Sequence, residues 1–287
     1  MTYWKAKPVS AGLAGLDLLH PQAGYVMSFV DALIAQVLKL EIALHHTSAR
    51  LAANTDAEAL HDLRINVRRL RSLLKPLRGK DGVALLDEAA ADVGQLTTPV
   101  RDLEVLVDEL HARGLSEQAS VRRELLHSSY ACILESSTLN QFFIRLDEWP
   151  SAFRAAELRG ELHQLPELVA KRLRKQIVGL QTALANPEHD PHRLRLLVKR
   201  TRYATDAYPQ HSPISVEAAV ALKAVQSSLG NWHDRYQWCL KASREPDLEV
   251  LRSQWQAEAH AALIQAEEDW RRLGGLLPRG PKMKLKT

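Results

Sequence analysis

HDLRINVRRLR (residues 61–71) and HRLRLLVKRTR (residues 192–202) share the pattern His-x-x-Arg-x-x-x-(Arg/Lys)-Arg-x-Arg. His61, Arg64, Arg68, Arg69 and Arg71 align with His192, Arg195, Lys199, Arg200 and Arg202 at a constant offset of 131 positions. On a helix of about 100° per residue, His61, Arg64, Arg68 and Arg71 fall within an arc of roughly 80°. Leu63, Val67, Leu70 and Leu74 lie on a different arc, roughly 110° away from centre to centre. Each helix can therefore bury its apolar side and still present a row of His and Arg. Lys75 adds another turn to the first row. Leu194 and Val198 supply the apolar side of the second, where Thr201 stands opposite Leu70 of the first copy.

Ordinary solvated helix faces interleave Glu with Lys or Arg at four-residue spacing. These rows hold almost no acid. Residues 61–78 carry a net charge of +5 and residues 171–205 carry +7, whereas the whole chain carries only +4. The chain is polarised, and such a concentrated field attracts anions. Arg suits this role because its planar guanidinium forms bidentate hydrogen bonds to phosphate oxygens. A His at the head of each row can donate to phosphate while neutral, and a bound anion would favour its protonated form.

The 287 residues have room for two domains or one duplicated unit. With 46% hydrophobic and 25% charged residues, the composition is that of a globular chain with a sizeable core. Ala and Leu dominate and no sustained two-residue alternation occurs, so an all-α fold is expected. Helices are expected from Gln22 to about Ala53, over the first basic motif to Arg78, and from Asp81-Gly82 to Arg113 with an interruption at Pro99. Others should run from Ser116 to Glu135, from Pro166 to Ala185, over the second basic motif, over about 214–243, and from Pro246 to Gly274-Gly275. Thr55 or Asp56 is the expected cap of the first basic helix, and Ser116 of the fourth helix. Trp149-Pro150 is the expected boundary between two halves of about four helices each. The halves would be residues 22–149 and 150–275, flanked by an irregular lead-in (1–21) and a basic flexible tail (276–287). Short connections favour two packed bundles.

Cys132 and Cys239 occupy non-equivalent places, which argues against a disulfide framework and suits a reducing compartment. No apolar stretch has the length of a signal peptide core or a membrane span, so a cytoplasmic location without membrane association is expected.

Together, HDLRINVRRLRSLL (61–74), HRLRLLVKRTRYATD (192–206), VRDLEVL (100–106) and AVQSSLGNWHD (224–234) resemble the CHAD family, the conserved histidine α-helical domain. The resemblance covers about residues 22–275. It implies two four-helix bundles from an internal duplication, related by pseudo-twofold symmetry. It also implies that inorganic polyphosphate binds in a basic cleft or pore between them, and that the protein associates with polyphosphate granules. By matched position the ligand-binding candidates are His61, Arg64, Arg68, Arg69, Arg71, His192, Arg195, Lys199, Arg200 and Arg202. Lys75 and Arg78 extend the first row. Lys171, Arg172, Arg174 and Lys175 precede the second, and Arg101 is a further contact whose counterpart is His233. Asp102 and Asp234 occupy equivalent places and are expected to orient the basic side chains. The first helix departs from the second half in having few cations, only Lys39 and Arg50 beside His45 and His46.

Two rival readings start from the same residues. His61-Asp62 and His233-Asp234 suggest an HD-type metal-dependent phosphohydrolase. A divalent site, however, should be rich in carboxylates, and the first of these pairs heads a row of Arg. His189-x-x-His192 has metal-like spacing, but no further ligands accompany it. No P-loop, HExxH or G-x-S-x-G element is present. No catalytic residue, metal or cofactor is expected. Nucleic acid would also satisfy the cations, but phosphate contacts do not select sequence, and only Tyr203 is placed to stack a base.

Overall fold

The computed structural model describes residues 27–186 and 188–278. The expected lead-in (1–21) and most of the expected tail (279–287) lie outside them. The described residues are helical, without strands. The α-helices are α1 (Phe29–Ala52), α2 (Ala59–Leu74), α3 (Ala84–Ala112), α4 (Ser116–Leu134), α5 (Ser137–Leu158), α6 (Leu165–Leu184), α7 (Pro191–Ala207), α8 (Val216–Ala242) and α9 (Glu249–Leu276). The two basic motifs form α2 and α7.

Local chemistry sets most of the ends. A capping box of Ser28 and Asp31 starts α1, with the Ser28 hydroxyl accepting from the Asp31 amide at 3.0 Å. Asp190 caps α7 by accepting from the His192 amide at 3.0 Å, and Pro191 takes the first helical position. Gly114 (φ +79°) follows α3 in the left-handed conformation that ends a helix without a Cβ clash.

Several expected boundaries differ. α3 runs unbroken through Pro99, and α5 runs unbroken through Trp149-Pro150. Proline costs a helix interior about 3 kcal/mol, which packing can offset. Here Thr97 on α3 is buried, and Trp149 and Phe153 on either side of Pro150 are buried and stacked on each other. The chain therefore has no linker at 149–150, and α5 is a further helix packed on α1 and α3. Glu58, not Thr55 or Asp56, precedes α2. Asp56 instead pairs with Arg50 at 2.6 Å. Leu115 occupies the N-cap of α4, which puts Ser116 one place inside. α9 continues through Gly274-Gly275 to Leu276.

Three apolar clusters hold the helices. The largest joins α1, α2, α3 and α5 with the start of α6 and with Ala204 and Tyr208. A second lies within α6, α7, α8 and α9. The third joins the C-terminal half of α3 and α4 to the end of α8 and the start of α9, around Trp238 and Trp255. α2 also packs on α7, where the Tyr208 hydroxyl donates to the Leu73 carbonyl at 2.5 Å. The two sets of helices thus meet along α2–α7 and again at the tips of α3–α4 and α8–α9. The space between these contacts is walled by α2, α3, α6, α7 and α8.

Candidate functional site

Leu63, Leu70, Leu194 and Val198 are buried, so α2 and α7 each turn the opposite flank toward that space. Two cavities occupy it. The smaller, about 570 Å³, is lined by Arg64, Arg68, Arg71, Lys75, Arg172, Lys199 and Arg200 together with Gln95, Thr98, Gln176 and Tyr203. The larger, about 950 Å³, is lined by His61, Arg64, Arg68, Arg101, Arg195, Lys199, His233, Lys241 and Arg244, with Asp102, Asp234 and Glu245 as its acids. Arg64, Arg68, Thr98, Leu196, Lys199 and Tyr203 wall both, so the cavities are adjoining lobes.

The partition between the lobes is a polar bridge across three helices. Arg68 donates to the Tyr203 hydroxyl at 2.8 Å, with its guanidinium 4.9 Å from the ring centre, and Gln226 donates to the same hydroxyl at 3.3 Å. Having accepted twice, Tyr203 keeps its own proton to donate. Arg64 is stapled to α3, donating to the Gly94 carbonyl at 3.1 Å and to the hydroxyls of Thr97 and Thr98. Arg172 donates to the carbonyls of Pro76 and Arg78 at 3.0 and 2.7 Å, joining α6 to the end of α2.

The charges in these lobes are poorly compensated. Among the described residues no carboxylate lies within ion-pair distance of Arg64, Arg68, Lys75, Arg172, Arg195, Lys199 or Arg200. Burial, then the neighbouring Arg195, Arg68 and Arg64, push Lys199 down to about 8. Burial, then Arg200, Arg78 and Arg71, lower Lys75. Burial lowers His61, with Arg101 adding to the effect. His233 is pushed down to about 4 by burial, then by Arg195, His192 and Lys199. Both histidines are therefore neutral at pH 7 in the free protein. Asp102 and Asp234 stand among the cations. Burial raises both above the usual carboxylate range against the pull of Arg195 and Lys199, and Asp102 further raises Asp234. Nε of Arg195, Nδ1 of His233 and Oε1 of Gln226 are buried without a hydrogen-bond partner among the described residues. Buried polar groups in this condition carry a desolvation cost that a ligand can relieve.

The other sequence-derived candidates lie outside the lobes or are engaged by neighbouring side chains. Arg69, Lys171, Arg174 and Lys175 are exposed and line neither lobe. Arg78 pairs with the buried Asp87 of α3, which also sits 3.6 Å from Arg71. Arg101 reaches the larger lobe but holds Glu104 at 2.8 Å. Arg202 sits 3.5 Å from Asp206 and flanks the Tyr203 ring. His192 is packed among Trp232, His233 and Tyr236 and does not line either lobe. The sequence reading left out Lys241, Arg244 and Gln226. Spacing on α8 could have found Lys241, which lies seven residues beyond Asp234 and so on the same helix face.

Neither His-Asp pair forms a cluster able to hold a metal. Asp62 pairs with Arg50 at 2.7 Å. Among the described residues the His/Asp/Glu group close enough to share an ion is Glu41, His45 and Asp147, between α1 and α5 and away from both lobes. No described helix is long and apolar enough to cross a membrane.

This arrangement defines an all-α protein whose two basic helices both contribute side chains to the lobes. The CHAD domain family model matches residues 38–240, and the chain belongs to that family. Among solved structures, the crystal structure of the CHAD domain from the plant Ricinus communis is similar at a TM-score of 0.63 and 21% identity, covering 90% of this chain and 94% of that one. PptA from Streptomyces chartreusis is similar at a TM-score of 0.57 and 20% identity, covering 84% of this chain and 99% of that one. At these identities the likeness is one of fold. No curated protein sequence matches the chain.

Proposed function

We propose that this protein binds inorganic polyphosphate, without catalysis, in the two adjoining lobes between α2–α3 and α7–α8. One observation carries the reading: Arg64 and Arg68 from the first row and Arg195, Lys199 and Arg200 from the second face one shared space with no carboxylate within ion-pair distance among the described residues. Placing them there is unfavourable until an anion arrives, so the site is built for a ligand and not for intramolecular ion pairs. A linear chain of phosphates matches charges repeated on successive turns. Arg68, Arg195 and Arg200 supply guanidinium donors, Lys75 and Lys199 act as point charges, and Tyr203, His61 and His233 donate hydrogen bonds. Asp102 and Asp234 hold the surrounding cations in place through their field. The duplicated motifs support a pseudo-twofold arrangement of two halves around this space. Association with polyphosphate granules in the cytoplasm follows from the same reading.

Two features disfavour hydrolysis. The carboxylates of the larger lobe are outnumbered by cations, and the His61-Asp62 pair is broken by the Arg50 contact. The deciding experiment is calorimetric titration with long-chain polyphosphate beside a short DNA duplex at physiological salt, with free phosphate assayed afterwards. Tight polyphosphate binding, weak duplex binding and no phosphate release are expected. Equal affinity for both would reduce the protein to a general polyanion binder, and absence of polyphosphate binding would overturn the reading.

A further inference from the structure

The larger lobe has a wall that the two basic motifs do not supply. Past Asp234 and Gln237, Lys241 sits in the last turn of α8, and Arg244 and Glu245 follow in the connection to α9; all five line the lobe. The family match stops at residue 240, so Lys241, Arg244 and Glu245 lie just beyond it. Arg244 is exposed and has no acid within ion-pair distance among the described residues. Lys241 is engaged, because its Nζ lies 3.1 Å from Oε1 of Glu245. The other carboxylate oxygen of Glu245 accepts from Nη2 of Arg122 at 2.6 Å. Arg122 belongs to α4 and is buried. It also donates to Asp247 at 2.7 Å and to the Gln118 carbonyl at 3.1 Å. Asp247 does not line the lobe.

One carboxylate thus joins two jobs. Through Arg122 it ties α4 to the α8–α9 connection, and through Lys241 it neutralises a cation on the cavity wall. Arg122 keeps Asp247 if Glu245 moves, so releasing Glu245 need not unlatch the helices. We infer that Lys241 and Arg244 form a third phosphate-binding wall of the larger lobe, and that Glu245 is a built-in competitor which incoming polyphosphate displaces from Lys241. This rests on the polyphosphate reading above and extends its footprint to the end of α8.

The sign of one substitution separates this from a purely structural latch. Glu245→Gln removes the competing charge while keeping a side chain that can accept from Arg122. It should tighten long-chain polyphosphate binding about threefold, the scale of one partly exposed charge contact. Lys241→Gln with Arg244→Gln should weaken it about tenfold and flatten the dependence of log K on log salt. Asp247→Asn loosens the same latch without touching the lobe and should leave affinity unchanged. Calorimetric titration of all four proteins with long-chain polyphosphate reads these outcomes, and thermal melting checks that each is folded. Equal effects of Glu245→Gln and Asp247→Asn would overturn the inference, as would wild-type affinity and salt slope in the Lys241/Arg244 double variant. Those results leave wild-type binding intact. Failure of the wild type itself to bind would instead overturn the polyphosphate reading, and this inference with it.

Discussion

Lys199 sits where both lobes meet, and its chemistry makes the account sensitive to pH. Its folded-state value of about 8 lies below the ordinary 10.5. Between those values the unfolded chain holds a proton that the folded chain lacks, so the Lys199 contribution makes the free protein more stable as pH rises through that window. Below about 8 the lysine is charged in both states and its burial penalty is fully present. Bound phosphate reverses the preference by favouring the charged amine. Polyphosphate affinity should therefore fall between pH 7 and 9, and binding near pH 8 should take up a proton, as titrations in buffers of different ionisation enthalpy would reveal. Lys199→Met should flatten this profile, weaken binding, and raise the melting temperature of the free protein by roughly 2 °C. Arg68 and Arg69 provide a second contrast, being adjacent in sequence but different in environment. Arg68→Glu should weaken polyphosphate binding at least about a hundredfold, since it reverses charge on the wall of both lobes. Arg69→Glu should cost less than about fivefold, because that side chain is exposed outside them. The pattern at 61–71 marks both residues as basic, and helical geometry places Arg69 off the main row. It could not reveal that Arg78 is occupied by an acid, because Asp87 reaches it from α3 through the folded packing, whereas the three-residue spacing of Arg101 and Glu104 on one helix does show that pair.

Among the elements, α2 carries the most consequence because its two flanks serve the core and the site at once. Leu63→Ala empties a fully buried position beneath the basic row and should cost about 3 kcal/mol in urea denaturation. Tyr208→Phe removes the hydrogen bond from the end of α7 to the Leu73 carbonyl and should cost about 1 kcal/mol, with the helix content unchanged by circular dichroism. Most elements were legible from local chemistry. The Asp190-Pro191 start of α7 and the Gly114 stop of α3 act within one turn of the chain, so a sequence reading finds them. Pro99 and Pro150 misled it, since a proline breaks a helix only if the surrounding packing does not compensate. Around Pro150 the local Trp149–Phe153 stack is buried in a core shared with α1, α2 and α3, and beside Pro99 the hydroxyls of Thr97 and Thr98 are held by Arg64 of α2, contacts that the local sequence does not show. The aromatic packing of His192 was hidden for a related reason, as Trp232 and Tyr236 arrive from α8.

On the scale of the whole molecule, α2–α7 contacts on one side and the Trp238–Trp255 cluster on the other brace a cavity whose cations repel one another. That repulsion makes the free protein less stable than its core alone would suggest, and ligand binding should recover the loss. Saturating polyphosphate should raise the melting temperature by several degrees, since binding to the folded state alone adds about 2.7 kcal/mol at a hundredfold excess over Kd. Affinity should also fall steeply with salt, as it does for other polyanions held by multiple cations. The most direct measurement is a paired titration of the wild type and an Arg68→Gln, Lys199→Gln double variant with long-chain polyphosphate across a salt series. The account predicts tight, strongly salt-dependent binding by the wild type, and weak binding with a shallower salt slope by a variant that melts no lower. Equal affinity and equal slope for the two proteins would contradict it, because the shared wall of the lobes would then contribute nothing to holding the chain.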